Sequence, residues 1–191
     1  MSDGGRSIAR IALFAALIIV LGMVTIPLPG GVPITAQTLG VMLAGTVLGP
    51  RRGPLAVLLV LVLAAVGLPV LAGGRGGLGV FVGPTAGYML GWIVGVVVIG
   101  LIARSARFTW WRTALAVVVG GILVVYLFGI PVQALVLGVD LVPTAVSSLV
   151  FVPGDLLKAA AATVLTMALL RAYPRAFGDE ARVERTAARA A

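Results

Sequence analysis

Pro84-Thr85-Ala86-Gly87-Tyr88-Met89-Leu90-Gly91-Trp92-Ile93-Val94-Gly95-Val96-Val97-Val98-Ile99-Gly100-Leu101-Ile102-Ala103 runs for twenty residues without a charge. At about 1.5 Å of rise per residue, a helix of that length covers about 30 Å, the thickness of a bilayer's hydrocarbon core. The apolar residues are continuous rather than alternating, which points to a spanning helix and away from a barrel strand. Only those two structures satisfy every backbone N–H and C=O in lipid. Pro84 suits a first helical turn. The run ends at a basic stretch holding Arg104, Arg107 and Arg112, where Trp110 and Trp111 read as a headgroup belt.

Working outward, five more spans follow the same logic. The first extends from about Ile8 to Pro27, and a proline-rich turn, Pro27 to Pro33, leads to a short second span from about Thr35 to Leu48. Gly49-Pro50-Arg51-Arg52-Gly53-Pro54 must lie at the membrane surface, because two arginines in lipid are expensive. It opens a third span reaching about Val70, after which a glycine-rich loop, Leu71 to Gly83, returns to the quoted fourth span. A fifth covers about Thr113 to Gly138, with Pro131 expected to kink or interrupt it. Asp140 to Val152, broken by Pro143, is expected to be a loop or re-entrant segment before a sixth span from Pro153 to about Tyr173. The expected fold is an all-α membrane protein, a six-transmembrane-helix bundle over residues 1–173. Residues 174–191, mixing arginine with Asp179, Glu180 and Glu184, are expected to form a solvated cytoplasmic tail.

Composition agrees: 61% of residues are hydrophobic and 10% charged, with a mean hydropathy of +1.19, whereas soluble domains are roughly a quarter charged. With no cysteine and no histidine, disulfides, thiol nucleophiles and the commonest zinc ligand and general base are excluded. An enzyme, a metal site or a cofactor is therefore not expected. The net charge of +8 is spread in short clusters between apolar runs, which argues for membrane topology and against nucleic acid. Arg6 and Arg10, Arg51 and Arg52, the Arg104 to Arg112 group and the arginines from Arg171 onward all fall on the side of the N-terminus. By the positive-inside rule both termini are cytoplasmic. The N-terminal apolar run is longer than a signal-peptide core and is expected to be a retained span. Arg75, Lys158, Asp140 and Asp155 are then the charged residues left on the outer side.

Asp155 and Lys158 stand three residues apart at the start of the last span, which puts them on one helix face about 5 to 6 Å apart. Ionisable groups at membrane depth usually face a cavity, and these offer an acceptor beside a donor; the alternative is a purely structural ion pair. Arg75 lies among glycines in Gly73-Gly74-Arg75-Gly76-Gly77, where a guanidinium could grip a carboxylate or simply be solvated. Gly74, Gly76 and Gly79 formally match a dinucleotide fingerprint, but a membrane span precedes them instead of a strand of a soluble βαβ unit. Gln37, Thr38 and Tyr88 are polar groups in apolar runs and need hydrogen-bond partners, whether neighbours, water or ligand. Small residues recur every four positions: Ala12 and Ala16; Ala36, Gly40 and Ala44; Gly83, Gly87, Gly91 and Gly95. Such ladders let helices approach closely within a bundle, and the first also suits a partner protein. There is no phosphate-binding loop of the G-x-x-x-x-G-K-[ST] type, so any ATP-driven pumping needs another chain.

Several ordered motifs together resemble the BioY family, the biotin-capturing S components of energy-coupling-factor (ECF) transporters. They are Ile26-Pro27-Leu28-Pro29, Val32-Pro33-Ile34-Thr35-Ala36-Gln37-Thr38-Leu39-Gly40, Gly49-Pro50-Arg51, Gly67-Leu68-Pro69-Val70, Gly83-Pro84-Thr85-Ala86-Gly87-Tyr88 and Pro153-Gly154-Asp155-Leu156-Leu157-Lys158. The resemblance runs from about Ala9 to Leu170. It implies a six-helix S-component fold in the cell membrane and biotin taken from the outer side as the transported ligand. Delivery would be with a transmembrane T component and paired ABC-type ATPases. It also implies that Asp155 and Lys158 fill the family's D-x-x-K positions and contact the ligand, and that Ala12 and Ala16 resemble the motif that meets the T component.

Biotin carries a ureido ring, an apolar thioether ring and chain, and a terminal carboxylate. The expected match has Asp155 accepting a ureido N–H, Lys158 donating to the ureido carbonyl and Arg75 taking the carboxylate, an assignment that could be reversed. An S component for another vitamin, a membrane-embedded enzyme and a purely structural subunit are the competing readings.

Overall fold

The computed structural model describes residues 3–28, 31–105 and 108–177. Pro29, Gly30, Arg107 and residues 178–191, which hold most of the expected tail with its acidic residues, lie outside them. Helix α1 (Asp3–Gly22) leads into a two-residue antiparallel pair, β1 (Thr25–Ile26) and β2 (Ile34–Thr35), that closes the proline-rich turn. Then come α2 (Gln37–Leu43), continued by a π-helical turn at Ala44–Leu48, and α3 (Gly49–Ala65). After a loop with a single 3₁₀ turn at Leu78–Phe81, α4 (Ala86–Arg104) crosses the centre of the molecule. α5 (Trp110–Val118) and α6 (Val124–Leu137) are joined by a π turn, and α7 (Leu141–Ser148) and α8 (Val152–Ala172) by a 3₁₀ turn.

Among the described residues, five helical stretches are long and apolar enough to cross a membrane: Gly4–Gly22, Gln37–Ala65, Ala86–Arg104, Trp110–Leu137 and Leu141–Ala172. Within the second of these, Gly49 has φ +79° and ψ −173°, outside any helical region. A Cβ on Gly53 would lie 3.0 Å from the Ala44 carbonyl oxygen, so α3 turns back against the end of α2.

Each of two expectations loses one of its alternatives. Asp140 to Val152 is no loop: α7 and the 3₁₀ turn at Leu149–Phe151 run directly into α8. Pro143 is harmless because it occupies the first turn of α7, where backbone N–H groups have no intrahelical partner anyway. Asp140, extended at the N-cap, supplies the carbonyl that accepts from the Thr144 N–H and hydroxyl. Nor does Pro131 interrupt its span, since α6 is helical on both sides of it. The irregularity lies upstream, at the π turn Val119–Leu123.

Two of the small-residue ladders pack the bundle. A Cβ on Gly91 would sit 2.8 Å from the Val125 Cα, and Gly87 and Gly95 meet the Phe128 and Gly120 carbonyls in the same way. The stripe on α4 therefore seats α6 and the π turn that precedes it at backbone distance, as small residues do in lipid. Gly40 similarly lies against the backbone of Ile18. The ladder on α1 is different: Ala15 and Ile18 are buried, while Ala12 and Ala16 are exposed on the opposite face.

The arginine-bearing segments gather at one end. Arg10 donates to the Arg175 carbonyl at 2.9 Å, Arg104 to the Val47 carbonyl at 2.7 Å, and Arg171 lies over the Trp110 ring. Residues 174–177, assigned by sequence to the tail, form a 3₁₀ turn that buries Phe177 against Val47 and Phe108. The opposite end, at the starts of α2, α4 and α8, holds the cavity.

Candidate functional site: a polar and aromatic cavity

The first turns of α2, α4, α6 and α8, the β2 segment and the glycine loop line a cavity that is open at its mouth. All six residues singled out by sequence for ligand binding line it: Gln37 and Thr38 from α2, Arg75 from the loop, Tyr88 from α4, and Asp155 and Lys158 from α8.

Asp155 and Lys158 form an ion pair at 2.8 Å between Nζ and Oδ1, with side chains 8% and 15% exposed. Asp155 also sits in the first turn of α8, where the helix dipole favours a carboxylate. Its Oδ2 accepts a hydrogen bond of 2.6 Å from the Tyr126 hydroxyl on α6. A carboxylate has about four acceptor positions and an ammonium three donors, so both groups keep capacity toward the cavity.

Arg75 is held by its loop. The Leu71–Arg75 bridge closes a tight turn in which Gly73 and Gly74 both have φ +71°, a region that favours glycine. Arg75 Nε donates to the Ala72 carbonyl at 3.0 Å, while its terminal nitrogens make no hydrogen bond among the described residues. The guanidinium is thereby anchored at one edge and open at the other.

The polar groups left open by sequence divide. Gln37, 1% exposed, donates to the Val70 carbonyl at 3.1 Å, so its amide ties α2 to the start of the glycine loop. Tyr88 donates to Gln133 Oε1 at 2.8 Å, with Ser148 Oγ at 3.5 Å. Its hydroxyl is thus engaged by α6 and α7, and the ring is what it offers the cavity. Thr38 Oγ1 is buried without a hydrogen-bond partner among the described residues, as is Nε1 of Trp92.

Trp92, Tyr126, Met89 and Phe151 complete the aromatic and apolar walls, and none was singled out from the sequence. Tyr126 and Trp92 carried the same signal as Tyr88, a polar atom inside an apolar span that must find a partner. Gln133 carried the signal that flagged Gln37. Which of these faces a cavity depends on helix rotation, which the apolar runs leave undetermined.

A helical bundle suited to lipid, with a cavity sunk into one end and lined by an ion pair, an arginine and aromatic rings, defines a membrane protein that holds a small molecule with both polar and apolar parts. A profile of the BioY family matches residues 2–175, and the chain belongs to that family. The biotin transporter BioY of Rhizobium etli is 48% identical over 179 residues, covering 88% of this chain and 95% of its own. The biotin transporter BioY of Rhodobacter capsulatus is 48% identical over 188 residues, 90% and 96% of the two chains. The solved S-component for biotin from an ECF-type ABC transporter superposes with a TM-score of 0.83 at 33% identity, covering 90% of this chain and 95% of that one.

Proposed function

We infer that this chain mediates biotin uptake as the substrate-binding S component of an ECF-type transporter; it is a multi-pass membrane transport subunit and not an enzyme. The observation that carries the reading is the pairing of the Asp155–Lys158 ion pair with Arg75 on one apolar, aromatic cavity, in a chain whose full-length relatives are biotin transporters. Biotin has the complementary distribution: polar groups at two ends and a thioether ring and aliphatic chain between them. Asp155 accepts from a ureido N–H, Lys158 donates to the ureido carbonyl and Arg75 pairs with the carboxylate. Asp155 and Lys158 are too close together to hold both ends of an extended biotin, which supports giving them one end. Gln37 and Tyr88 shape the cavity, and Thr38 offers a hydroxyl.

The bundle crosses the membrane six times, a count supported by the reversal at Gly49 that divides the Gln37–Ala65 stretch into two arms. The six-helix domain occupies residues 1–173 with the 3₁₀ turn at Pro174–Phe177 packed on it, and residues 178–191 are a C-terminal extension. Both termini face the cytoplasm, supported by the gathering of arginines at the end opposite the cavity. Biotin then enters from the outer side and is delivered inward with a T component and paired ABC-type ATPases, the exposed Ala12 and Ala16 face of α1 meeting the T component. No cofactor takes part.

The test is binding of labelled biotin to the purified protein in detergent, with riboflavin and thiamine as competitors. Tight binding that neither competitor displaces and that Asp155→Asn abolishes, with the fold intact, is the expected result. No binding, or binding indifferent to Asp155 and Lys158, overturns the reading.

A further inference from the structure

We propose that Tyr126 is a positioning residue for the ligand: its hydroxyl fixes the Asp155 carboxylate so that the unused acceptor positions on that group face the cavity. The inference rests on the biotin reading above. Asp155 has two hydrogen-bonded partners of different kinds. Lys158 belongs to the same helix and bonds Oδ1, while Tyr126 comes from α6 and bonds Oδ2 at 2.6 Å. With Lys158 alone, the carboxylate is free to rotate about its own bond and turn both oxygens onto the ammonium one turn away. That collapsed pair satisfies itself and leaves little for a ligand N–H. Tyr126 ties the second oxygen to a different helix, so the plane of the carboxylate is set between α6 and α8, and charge-assisted hydrogen bonds of this kind are the strong ones.

Tyr126 is itself held in place. Its ring meets Tyr88 edge-on, with centroids 6.4 Å apart at 80°. Tyr88 in turn is bonded to Gln133 and packed on Gly129, where a Cβ would strike its ring. The orientation of one carboxylate on α8 is therefore set through α6 and α4. A ligand N–H meets an acceptor already aimed, which removes an ordering cost from binding.

The test pairs biotin affinity with the infrared carboxylate stretch of Asp155 in the ligand-free protein. The whole chain has six acidic residues, so subtracting the Asp155→Asn spectrum isolates its band. Tyr126→Phe is expected to shift that band and to weaken biotin binding by about tenfold or more. Tyr173→Phe, at an exposed position outside the cavity lining, is expected to leave the band in place. Fluorotyrosine at position 126, a stronger donor of the same shape, moves the band the opposite way and keeps the test available should the phenylalanine protein fold poorly. Unchanged affinity in Tyr126→Phe overturns the proposal. So does weaker binding with an unmoved band, which would make the hydroxyl a direct ligand contact, or an unmoved band in the fluorotyrosine protein. Wild-type protein that binds no biotin overturns the functional reading and this inference with it.

Discussion

Lys158 Nζ lies 2.8 Å from Asp155 Oδ1 at the first turns of α8, and both side chains are largely withdrawn from solvent. Such a pair is more costly to break than to replace, because removing one partner leaves an uncompensated buried charge. Lys158→Ala is expected to destabilise the ligand-free protein by about 3 kcal/mol. The double substitution Asp155→Asn, Lys158→Met recovers most of that stability yet binds no biotin. Thermal melting in detergent beside a biotin-binding assay checks both halves; a double variant that still binds would reduce the pair to a structural role.

Gly129 on α6 and Gly154 on α8 make a matched contrast. A Cβ on Gly129 would strike the Tyr88 ring, whereas one on Gly154 meets nothing within 4 Å. Gly129→Ala should cost about 1 to 3 kcal/mol as overpacking and weaken biotin binding by displacing Tyr88 from the cavity wall. Gly154→Ala, in the first turn of α8, should be neutral or stabilising by up to about 1 kcal/mol from helix propensity. Equal effects of the two substitutions on melting temperature would contradict this packing.

Thr38 Oγ1 and Trp92 Nε1 are buried beside the cavity with no partner among the described residues, a state that costs about 1 to 3 kcal/mol per group. Thr38→Val and Trp92→Phe keep shape and remove the orphaned atoms, so the ligand-free protein is expected to melt at an equal or higher temperature. Biotin affinity is expected to fall, by about tenfold for Trp92→Phe, because a polar group of the ligand supplies the missing partner. A lower melting temperature with unchanged affinity would assign both atoms to packing alone.

The outward face of α1 should tolerate bulk that α4 cannot. Ala16→Leu adds a side chain on an exposed position and is expected to leave folding and biotin binding in detergent intact while reducing co-purification with the T component. Gly91→Leu, pressed against the Val125 backbone, is expected to disrupt the bundle itself. Intact assembly in Ala16→Leu would move the partner interface elsewhere.

Much of the architecture was legible from apolar runs, since lipid leaves the backbone no alternative to closing its own hydrogen bonds. The turn at Gly49 was legible from two arginines that cannot remain in hydrocarbon. Asp155 and Lys158 were legible because ionisable residues at helix-compatible spacing are rare in such a sequence. The helical state of residues 141–151 was not, because Pro143 breaks a helix interior but not a first turn, and only the position of Asp140 decides which applies. Phe177 could not be placed either: its burial depends on a pocket beside Val47 and Phe108, distant in sequence.

The sequence by itself determined that this chain is a helical membrane protein and which few polar residues could serve a ligand. Those conclusions depend on transfer from water to lipid and on spacing along one helix, both local properties. The tertiary structure alone decided that Arg75 and α8 share a cavity, that Tyr126 completes Asp155, that the hydroxyl of Tyr88 turns to Gln133, and that Ala12 and Ala16 stay uncovered. Each depends on how helices rotate and cross, and that is set by side-chain packing between segments far apart in the chain.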